Sequence, residues 1–577
     1  MSFVSTLVLI FQLALITGSL AQSSFKPSAV PLAVRSPYLS SWLRTGQSDQ
    51  TPNGWPTFWT MNRTLGLAGL VRVDGQPYIW MGNVVSSASK VQAATQRDLQ
   101  ITPTRTIFIL EAGQLQLNPD DLALQSFPFS YIYLDARPLD GQSHSVQVHC
   151  DVSGEWLSSD DSKSIQWDTS EHDQITFHTA TQQPGQTPHS DGHDNMAEDA
   201  TLYLAGLSGS GVTWQTGNDT VVRDQFLVDG TLLNTRDTNF RAIADHWPVF
   251  GLSYDLGNVA SNSATVAWAL GLVRDPSINW NTHSNTQNYR PYFLSKYSSV
   301  KDALSAFLSD FSNAKQRSID LDYRILSAAR NVSANYADLV SLALRQTFGG
   351  IETAYAGESI GMFMKDIGNS QRIDPVEAIY ASFPAFLYIN ATWNKYLLEP
   401  LLQYSEFSSN RVGYATPDLG NNYPIAGNVQ VNALRQVEDS GSMLIMAWAH
   451  AKFTGDRSLL TTYYDTLKQW TETLIPRTLT PNGYMSVDGQ DTANLTNLAL
   501  KGILGVRAMA EISHSLGEDD DAQSYLDTAR SYAQQWNNLA WSSDHFSSSY
   551  GRSGTWTMVY NLYADRLLGA NFTSQDV

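Results

Sequence analysis

The sequence has very little cysteine and no excess of positive charge. Its 577 residues include one cysteine, Cys150, so a disulfide within the chain is impossible. A formal net charge of −19 argues against nucleic acid or an anionic membrane surface as a partner. Cys150 lies in an apparent strand, where we expect a packed core side chain.

Long apolar runs are absent beyond the N-terminus. After it, no segment reaches the ~18 consecutive apolar residues that a membrane span requires. Residues 1–21 combine an apolar core, Val4 to Ile16, with small residues at Ser19 and Ala21. We predict a signal peptide over 1–21 and a protein secreted to the extracellular space or cell wall; a buried N-terminal helix is the alternative. Six sequons are candidate glycosylation sites: Asn62, Asn218, Asn331, Asn390, Asn494 and Asn571.

Several catalytic signatures are also missing from the sequence. It contains no Gly-x-Ser-x-Gly elbow, His-Glu-x-x-His zinc motif, phosphate-binding Gly-rich loop or dinucleotide fingerprint. The segment His189-Ser-Asp-Gly-His-Asp has the residue types of metal ligands, but its polar, turn-rich surroundings indicate a solvated loop. We therefore expect neither a metal nor a cofactor.

The first half of the chain has the pattern of a β-domain. Short apolar or alternating runs, such as those starting at Thr104, Phe129 and Ala264, are separated by clusters of Gly, Pro, Asn and Asp. Many short strands without helical periodicity between them predict a β-sandwich. We place this domain at residues 22–330, including a leading segment and linker helices.

From residue 331 to 577 the apolar residues recur at helical spacing. Helix pairs with short turns alternate with long connections, at 349–375, 408–437, 475–493 and 540–555. In successive antiparallel hairpins these connections fall at one end, and long loops in a compact domain are usually functional. The pattern predicts a toroid of hairpins whose long loops lie at one end. A plain helical-repeat scaffold is the alternative, although such repeats keep a fixed period.

The segment Gln436–Asp456 joins two adjacent carboxylates, Glu438 and Asp439, to an almost unbroken apolar run. The run predicts an inner helix that is packed on all sides and contains His450 as a core residue. Both carboxylates then lie at the helix start, where unpaired N–H groups and the helix dipole favour anions. Neighbours on a helix point about 100° apart, so only one can face a cleft squarely. We expect that residue to be Glu438, because Asp439 is the better helix cap.

Further carboxylates lie in the long connections and could complete an acid–base pair. Hydrolases often use one protonated carboxyl group as donor and a second as the base that activates water. The predicted catalytic residues are Glu438, Asp439 and Asp491, although Asp491 equally fits a helix cap. The predicted substrate-binding residues are Asp366, Asp374 and Asp418. Each of these three also fits a structural role, and Asp418 lies in an Asp-Leu-Gly turn.

Stretches along most of the chain resemble one protein family. They are Phe58-Trp-Thr, Gly69-Leu-Val-Arg-Val-Asp-Gly, Thr102-Pro-Thr-Arg-Thr-Ile-Phe, Phe240-Arg-Ala-Ile-Ala-Asp-His-Trp-Pro-Val-Phe, Phe363-Met-Lys-Asp-Ile-Gly-Asn, Val437-Glu-Asp-Ser-Gly-Ser-Met and Asn497-Leu-Ala-Leu-Lys-Gly-Ile. Through them the chain resembles the fungal secreted glutaminase A family. The resemblance implies a β-sandwich, an (α/α)6 six-hairpin domain, and cofactor-free hydrolysis of the L-glutamine side-chain amide.

The chain departs from the family pattern at two positions of the central motif. The family motif is Val-Glu-Glu-Ser-Gly-Asn-Met, whereas this chain has Asp439 and Ser442 at the third and sixth positions. Family members also continue for further helices, so the resemblance implies an (α/α)6-type toroid that is incomplete at its C-terminal end, with exposed apolar surface near the end of this chain. The resemblance assigns no catalytic residue, and the candidates above depend on the loop pattern alone.

Three functional hypotheses follow, and in each the partner is a small molecule. The first is a secreted amidohydrolase in which one carboxylate activates water against glutamine and a second acid protonates the departing ammonia. The second is a glycoside hydrolase acting on an extracellular glycan, because carboxylate pairs and 16 tryptophans also suit sugars. The third is a sugar-binding protein without catalysis.

Overall fold

The computed structural model describes eleven ranges of the chain. They are residues 27–45, 53–58, 63–87, 90–123, 127–185, 196–260, 264–281, 286–366, 370–406, 412–487 and 492–572. In 116–123 only the backbone is described. The predicted signal peptide, the segment starting at His189, and the candidates Asn62 and Asp491 lie outside these ranges.

The elements of the described residues follow in chain order. The strands are β1 (Ala29–Val34), β2 (Ser40–Arg44), β3 (Thr57–Phe58), β4 (Leu67–Val73), β5 (Gln76–Met81), β6 (Gln92–Ala93), β7 (Thr95–Ile101), β8 (Thr106–Ala112), β9 (Leu115–Ala123), β10 (Phe129–Pro138), β11 (His144–Ser153), β12 (Ser164–His172), β13 (Ile175–Gln182), β14 (Thr201–Leu207), β15 (Val212–Asn218), β16 (Arg241–Ala242), β17 (Pro248–Val259), β18 (Ala264–Val273), β19 (Ile278–Asn281), β20 (Thr286–Pro291), β21 (Ile351–Ala356), β22 (Ser359–Met364), β23 (Ile425–Ala426), β24 (Trp541–Ser542) and β25 (His545–Phe546). The helices are α1 (Asp219–Asp229), α2 (Val300–Ser309), α3 (Phe311–Arg330), α4 (Ala334–Gly349), α5 (Val376–Asn390), α6 (Trp393–Glu406), α7 (Gln436–Thr454), α8 (Ser458–Thr462), α9 (Tyr464–Thr478), α10 (Thr496–Leu516), α11 (Asp519–Ala540) and α12 (Leu562–Leu568).

Two large sheets form the N-terminal β-rich domain. In the described residues, one has the order β16-β12-β13-β14-β18-β10-β9-β8-β7 and the other β15-β17-β11-β4-β5-β6. Burial alternates along strands such as β8, which is the period-two pattern of a sheet with one buried face. Between the sheets, the ring of Trp80 stacks on that of Trp268 at 6.3 Å. Cys150 is buried in β11, as predicted.

The helices that follow are arranged as hairpins around two inner helices. The hairpins are α3/α4, α5/α6, α7/α9 and α10/α11. Helices α7 and α10 are buried on nearly all sides, whereas α9 and α11 bury one face. Where α7 and α10 cross, a Cβ added to Gly505 would lie 2.9 Å from the Cα of Gly441. The predicted inner helix is confirmed, and His450 is a core residue 1% exposed.

A smaller sheet ties the connections between hairpins to the β-domain. Its order is β22-β21-β20-β19-β23, so strands preceding the helices pair with strands inside the long connections. The rings of Tyr289 on β20 and Phe363 on β22 pack edge to face at 5.2 Å. The connection 350–375 therefore holds a β-hairpin, and the β-domain helps to position the ends of two loops.

The family-like segment after β7 anchors helix α3 to the β-domain. Asp322 of α3 is 2% exposed and accepts hydrogen bonds from Thr102 Oγ1 at 2.7 Å and Thr104 N at 2.9 Å. Arg105 Nε donates to the same carboxylate at 2.8 Å. A buried carboxylate with this many donors is stable only while each partner remains in place.

Replacing Asp322 by alanine should therefore destabilise the fold. We expect the free energy of unfolding to fall by about 3 kcal/mol, because breaking a buried charge pair leaves the remaining partners desolvated. Urea unfolding followed by circular dichroism measures the loss. The control is Asp320→Ala, which removes an exposed carboxylate from the same helix and should change stability by less than about 0.5 kcal/mol. Equal effects of the two substitutions would contradict the anchoring role.

The surface carries exposed apolar side chains and five of the predicted sequons. Tyr336 and Leu339 of α4, Tyr563 of α12, and the preceding Trp556 and Met558 are between 46% and 75% exposed. The described sequon asparagines comprise the exposed Asn331 and Asn571 and the half-buried Asn218, Asn390 and Asn494. Their glycosylation stays a prediction. Within the described ranges, the helices are all too short or too polar to cross a membrane.

Candidate active site

The long connections between hairpins meet at one end of the helical domain. Ile373 N donates to Gly420 O at 2.9 Å, which joins the connection before α5 to that before α7. Met485 N donates to Leu434 O at 2.8 Å, and Tyr550 N to Asn494 O at 3.1 Å, joining the next connections in turn. The convergence expected from the hairpin pattern is therefore observed in the described residues.

Glu438 lies in the first turn of α7 and faces α10. Its side chain is 1% exposed and forms an ion pair with the ammonium of Lys501, which is equally buried. Its second oxygen, Oε2, accepts a long hydrogen bond of 3.5 Å from Ser486 Oγ. The Lys501 Nζ lies 3.9 Å from the centroid of the Tyr380 ring and 5.6 Å from that of Tyr560. Glu438 thus belongs to a buried ion pair with aromatic walls.

Asp439 leaves the same turn in a different direction, toward Arg435 and Glu377. Arg435 donates to both carboxylate oxygens, with Nη2–Oδ1 at 2.8 Å and Nε–Oδ2 at 3.2 Å. Burial raises the pKa of Asp439 to about 7; Arg435 opposes the rise, while Glu377 and Glu438 add to it. Within the described residues Arg435, at the N-cap of α7, makes no side-chain capping hydrogen bond, and the capping role expected as an alternative for Asp439 is not observed.

Glu377 connects the two arginines of the site. Arg435 Nη2 donates to Glu377 Oε2 at 2.8 Å, and Arg372 Nη2 donates to the other oxygen of the same carboxylate. Burial by itself raises the pKa of Glu377, but the guanidinium groups of Arg372 and Arg435 outweigh it and hold the pKa below its usual value. Glu377 is therefore ionised and bridges two positive charges.

Arg372 extends this network to two of the predicted binding residues. Its Nη2 donates to Asp366 Oδ2 at 3.2 Å, and its Nη1 lies 3.8 Å from Asp418 Oδ2. Asp418 Oδ1 also accepts from Gly420 N at 2.9 Å, which is the turn expected from Asp-Leu-Gly. Burial raises the pKa of Asp418. Asp366, Asp418 and Asp439 thus lie in one charged network.

Asp374, the third predicted binding residue, is fully buried behind Asp418. Its φ of +49° is unusual for a non-glycine residue, and its Oδ1 accepts from Met364 N at 2.5 Å. Burial raises the pKa of Asp374 well above its usual range, and nearby Asp418 adds to the rise. Burial therefore favours the neutral form of the Asp374 carboxyl group, and its hydrogen bond holds its own connection against the end of β22.

The sequence reasoning missed the positive charges of the site. Lys501, Arg435 and Arg372 each bind a carboxylate there. One signal was available for Lys501, which interrupts an apolar helical run although lysine is almost never fully buried unless paired. Another was the spacing of four residues between Arg435 and Asp439 on one helix face. Among the described residues, no cluster of three or more His, Cys, Asp or Glu side chains could hold a metal ion.

Comparison with known proteins relates this arrangement to a family. A family profile described as "Glutaminase A six helical-hairpin domain" matches residues 333–577, and one described as "Domain of unknown function (DUF5127)" matches 104–328. Glutaminase A of Aspergillus oryzae is 35% identical over 592 aligned residues, which cover 98% of this chain and 84% of that protein. The chain belongs to the glutaminase A family. The resemblance drawn from the sequence motifs is therefore confirmed.

Other known proteins share less with this glutaminase A family member. A protein of Arthroderma benhamiae named "Probable glutaminase" is 26% identical over 646 residues, covering 95% of this chain and 74% of that protein. Among solved structures, a bacterial glucoamylase complexed with acarbose matches with a TM-score of 0.43 and 12% identity, over 92% of this chain and 73% of that chain. A gh92 family glycosyl hydrolase matches with a TM-score of 0.39 and 11% identity, over 93% and 66%.

Proposed function

We propose that this protein hydrolyses the side-chain amide of L-glutamine to L-glutamate and ammonia. The observation that carries the proposal is the pair of adjacent buried carboxyl groups at the start of α7: Glu438 pairs with Lys501, while Asp439 pairs with Arg435 and has a pKa that burial raises to about 7. The 35% identity to a Glutaminase A along 98% of the chain supports glutamine as the substrate. Two titratable groups with contrasting environments are the usual arrangement for an acid and a base.

Glu438 is the proposed base. Its carboxyl group forms an ion pair with Lys501, and only a carboxylate can take a proton from water. The oxygen Oε2 accepts from Ser486 rather than from Lys501, and it is the oxygen that we assign to the reacting water. Water then adds to the carboxamide carbon, its proton passes to Glu438, and N–H groups in the first turn of α7 stabilise the oxyanion.

Asp439 is the proposed acid. With a pKa of about 7, its carboxyl group keeps its proton in about half of the molecules at neutral pH. It donates that proton to the nitrogen as the carbon–nitrogen bond breaks, so that ammonia leaves and the carboxylic acid remains. The proton held by Glu438 then passes through water to Asp439, and both carboxyl groups regain their starting protonation.

The arginine network is the proposed binding site for the amino-acid end of the substrate. Arg372 is 21% exposed and is suited to the α-carboxylate, which a guanidinium binds in bidentate fashion. Asp366 and Asp418, with side chains 14% and 10% exposed, are suited to the α-ammonium group. We further propose that the reaction takes place outside the cell, on the basis of the apolar segment at residues 1–21 and the sequons.

The direct test is incubation of the purified protein with L-glutamine and, separately, with aryl-glycosides. Ammonia release without aglycone release is the expected result. Aglycone release alone would replace the proposal by a glycoside hydrolase. If neither ammonia nor aglycone is released, the result favours a sugar-binding protein without catalysis.

The pH dependence tests the role of Asp439. The acid must be protonated, so kcat/KM for L-glutamine should fall as the pH rises through about 7. Asp439→Asn should lower kcat/KM by about 10²-fold and abolish this alkaline limb. The matched control is Asp519→Asn, an exposed residue at the start of α11, which should leave rate and pH profile unchanged. An alkaline limb that persists in Asp439→Asn would assign the acid to another group.

A further inference from the structure

We propose that Lys501 is a positioning residue that holds Glu438 ionised and oriented for catalysis, and that the rings of Tyr380 and Tyr560 hold Lys501 in place. This inference rests on the proposed role of Glu438 as the base. It goes beyond that role because it names a residue on a second helix, Lys501 of α10, that supports the base.

The packing of α7 on α10 explains why a lysine reaches this position. Glu438 and Gly441 are three residues apart and share one face of α7. The missing side chain of Gly441 leaves room for the stem of Lys501, whose Cγ would lie only 3.0 Å from a Cβ at that position. The stem thus passes over the glycine, and the ammonium meets the carboxylate one turn earlier.

The aromatic rings fix the ammonium at the end of this path. Lys501 Nζ lies over the face of Tyr380, at a distance that gives a cation–π attraction. Tyr380 is itself held by a hydrogen bond of 3.0 Å from its hydroxyl to Asn561 Oδ1, and Asn561 Nδ2 donates to Asn497 O at 3.0 Å. Residues of α5, α10 and the segment before α12 therefore form one support around the lysine.

The charge of Lys501 is the physical reason that Glu438 can act as a base. A carboxylate that is 1% exposed would be strongly destabilised by desolvation, and protonation would relieve the cost. The ammonium opposes this, because an opposite charge in contact favours the ionised form. Without the ammonium the buried carboxyl group of Glu438 has no counter-charge, and a protonated carboxyl group cannot take a proton from water.

Few other titratable groups face the ion pair. Among the described residues they include Asp439 on α7, Tyr380 on α5 and Tyr560 before α12. Burial raises the pKa of Tyr380, and Glu438 adds to the rise, so this phenol stays neutral during the reaction. In the proposed reaction, activity is lost at low pH when the base is protonated and at high pH when Asp439 loses its proton.

The test compares Lys501→Met and Lys501→Arg across the pH profile of kcat/KM for L-glutamine. Lys501→Met should lower kcat/KM at neutral pH by about 10²-fold and move the acid limb upward by about 1 to 3 pH units. Lys501→Arg should keep the acid limb within about half a unit of the wild type, because the positive charge remains. The control Lys468→Met removes a half-exposed lysine from α9 and should leave the limb in place.

A purely structural role predicts a different result. Loss of packing alone would reduce activity equally at every pH, so an unmoved acid limb in Lys501→Met overturns the proposal. If Lys501→Met yields no soluble protein, Tyr380→Leu is the deciding variant. It keeps the ion pair but removes the ring under Lys501, so the acid limb of kcat/KM should move upward by a smaller amount. An acid limb that does not move in Tyr380→Leu would overturn the proposal. Wild-type protein without ammonia release would instead reject the proposed function itself.

Discussion

Glu438→Gln is expected to lower kcat/KM for L-glutamine by about 10³-fold, the largest catalytic effect of any single substitution in the site. The amide cannot accept the proton of the attacking water, although its size and shape match the carboxyl group. The measurement is ammonia release at several pH values. The control is Asp519→Asn on the surface of α11, which should retain full activity.

The same substitution should also destabilise the protein, because Lys501 loses its counter-ion at a position 1% exposed. Breaking a buried pair on one side costs about 3 to 5 kcal/mol, so lost activity in Glu438→Gln alone does not separate catalysis from folding. The double variant Glu438→Gln/Lys501→Met removes both charges. We expect its free energy of unfolding, from urea titration, to recover most of the loss while activity stays absent.

The double variant also shows which results would contradict the proposed role of Glu438 as the base. If activity returns together with stability, Glu438 only balances the charge of Lys501 and the base must be another residue. If both stay low, the ion pair is required for the packing of α7 on α10. The two single variants and the double variant together form a cycle, which gives the coupling between the two side chains directly.

Gly505→Val is expected to lower the free energy of unfolding by about 3 kcal/mol, the largest effect of overpacking at this helix crossing. A Cβ there would lie 2.9 Å from the backbone Cα of Gly441 and 3.1 Å from Leu474 Cδ2. Because a backbone atom cannot rotate away, α10 must move from α7, and Lys501 moves with it. Activity should therefore fall in the fraction of protein that still folds.

Urea unfolding and the ammonia assay test this expectation on the same sample. The matched control is Gly209→Val in the β-domain, where an added Cβ meets no atom within 4 Å. It should leave both stability and activity close to the wild type. Wild-type stability in Gly505→Val would show that the two inner helices can separate freely, and that their close approach does not position the ion pair.

Much of the fold could be predicted because its signals are local. The apolar run after Asp439 predicted an inner helix, and α7 is buried on nearly all sides. The alternation of short turns and long connections predicted hairpins with converging loops. The hairpin formed by β21 and β22 inside the first connection was not predicted, because β21 pairs with β20 across the boundary to the β-domain.

The sequence by itself determined that a sheet domain precedes the hairpins, that α7 is an inner helix, and that Glu438 and Asp439 at its start point in different directions. Only the tertiary structure decided which positive charge Glu438 meets, and that Arg435, four residues from Asp439 on the same helix face, also binds a distant carboxylate. Glu438 pairs with Lys501 at a sequence separation of 63 residues, and Arg435 reaches Glu377 across 58. The physical reason is that periodicity acts between neighbours along the chain, whereas burial and charge pairing depend on groups that meet only after the helices pack.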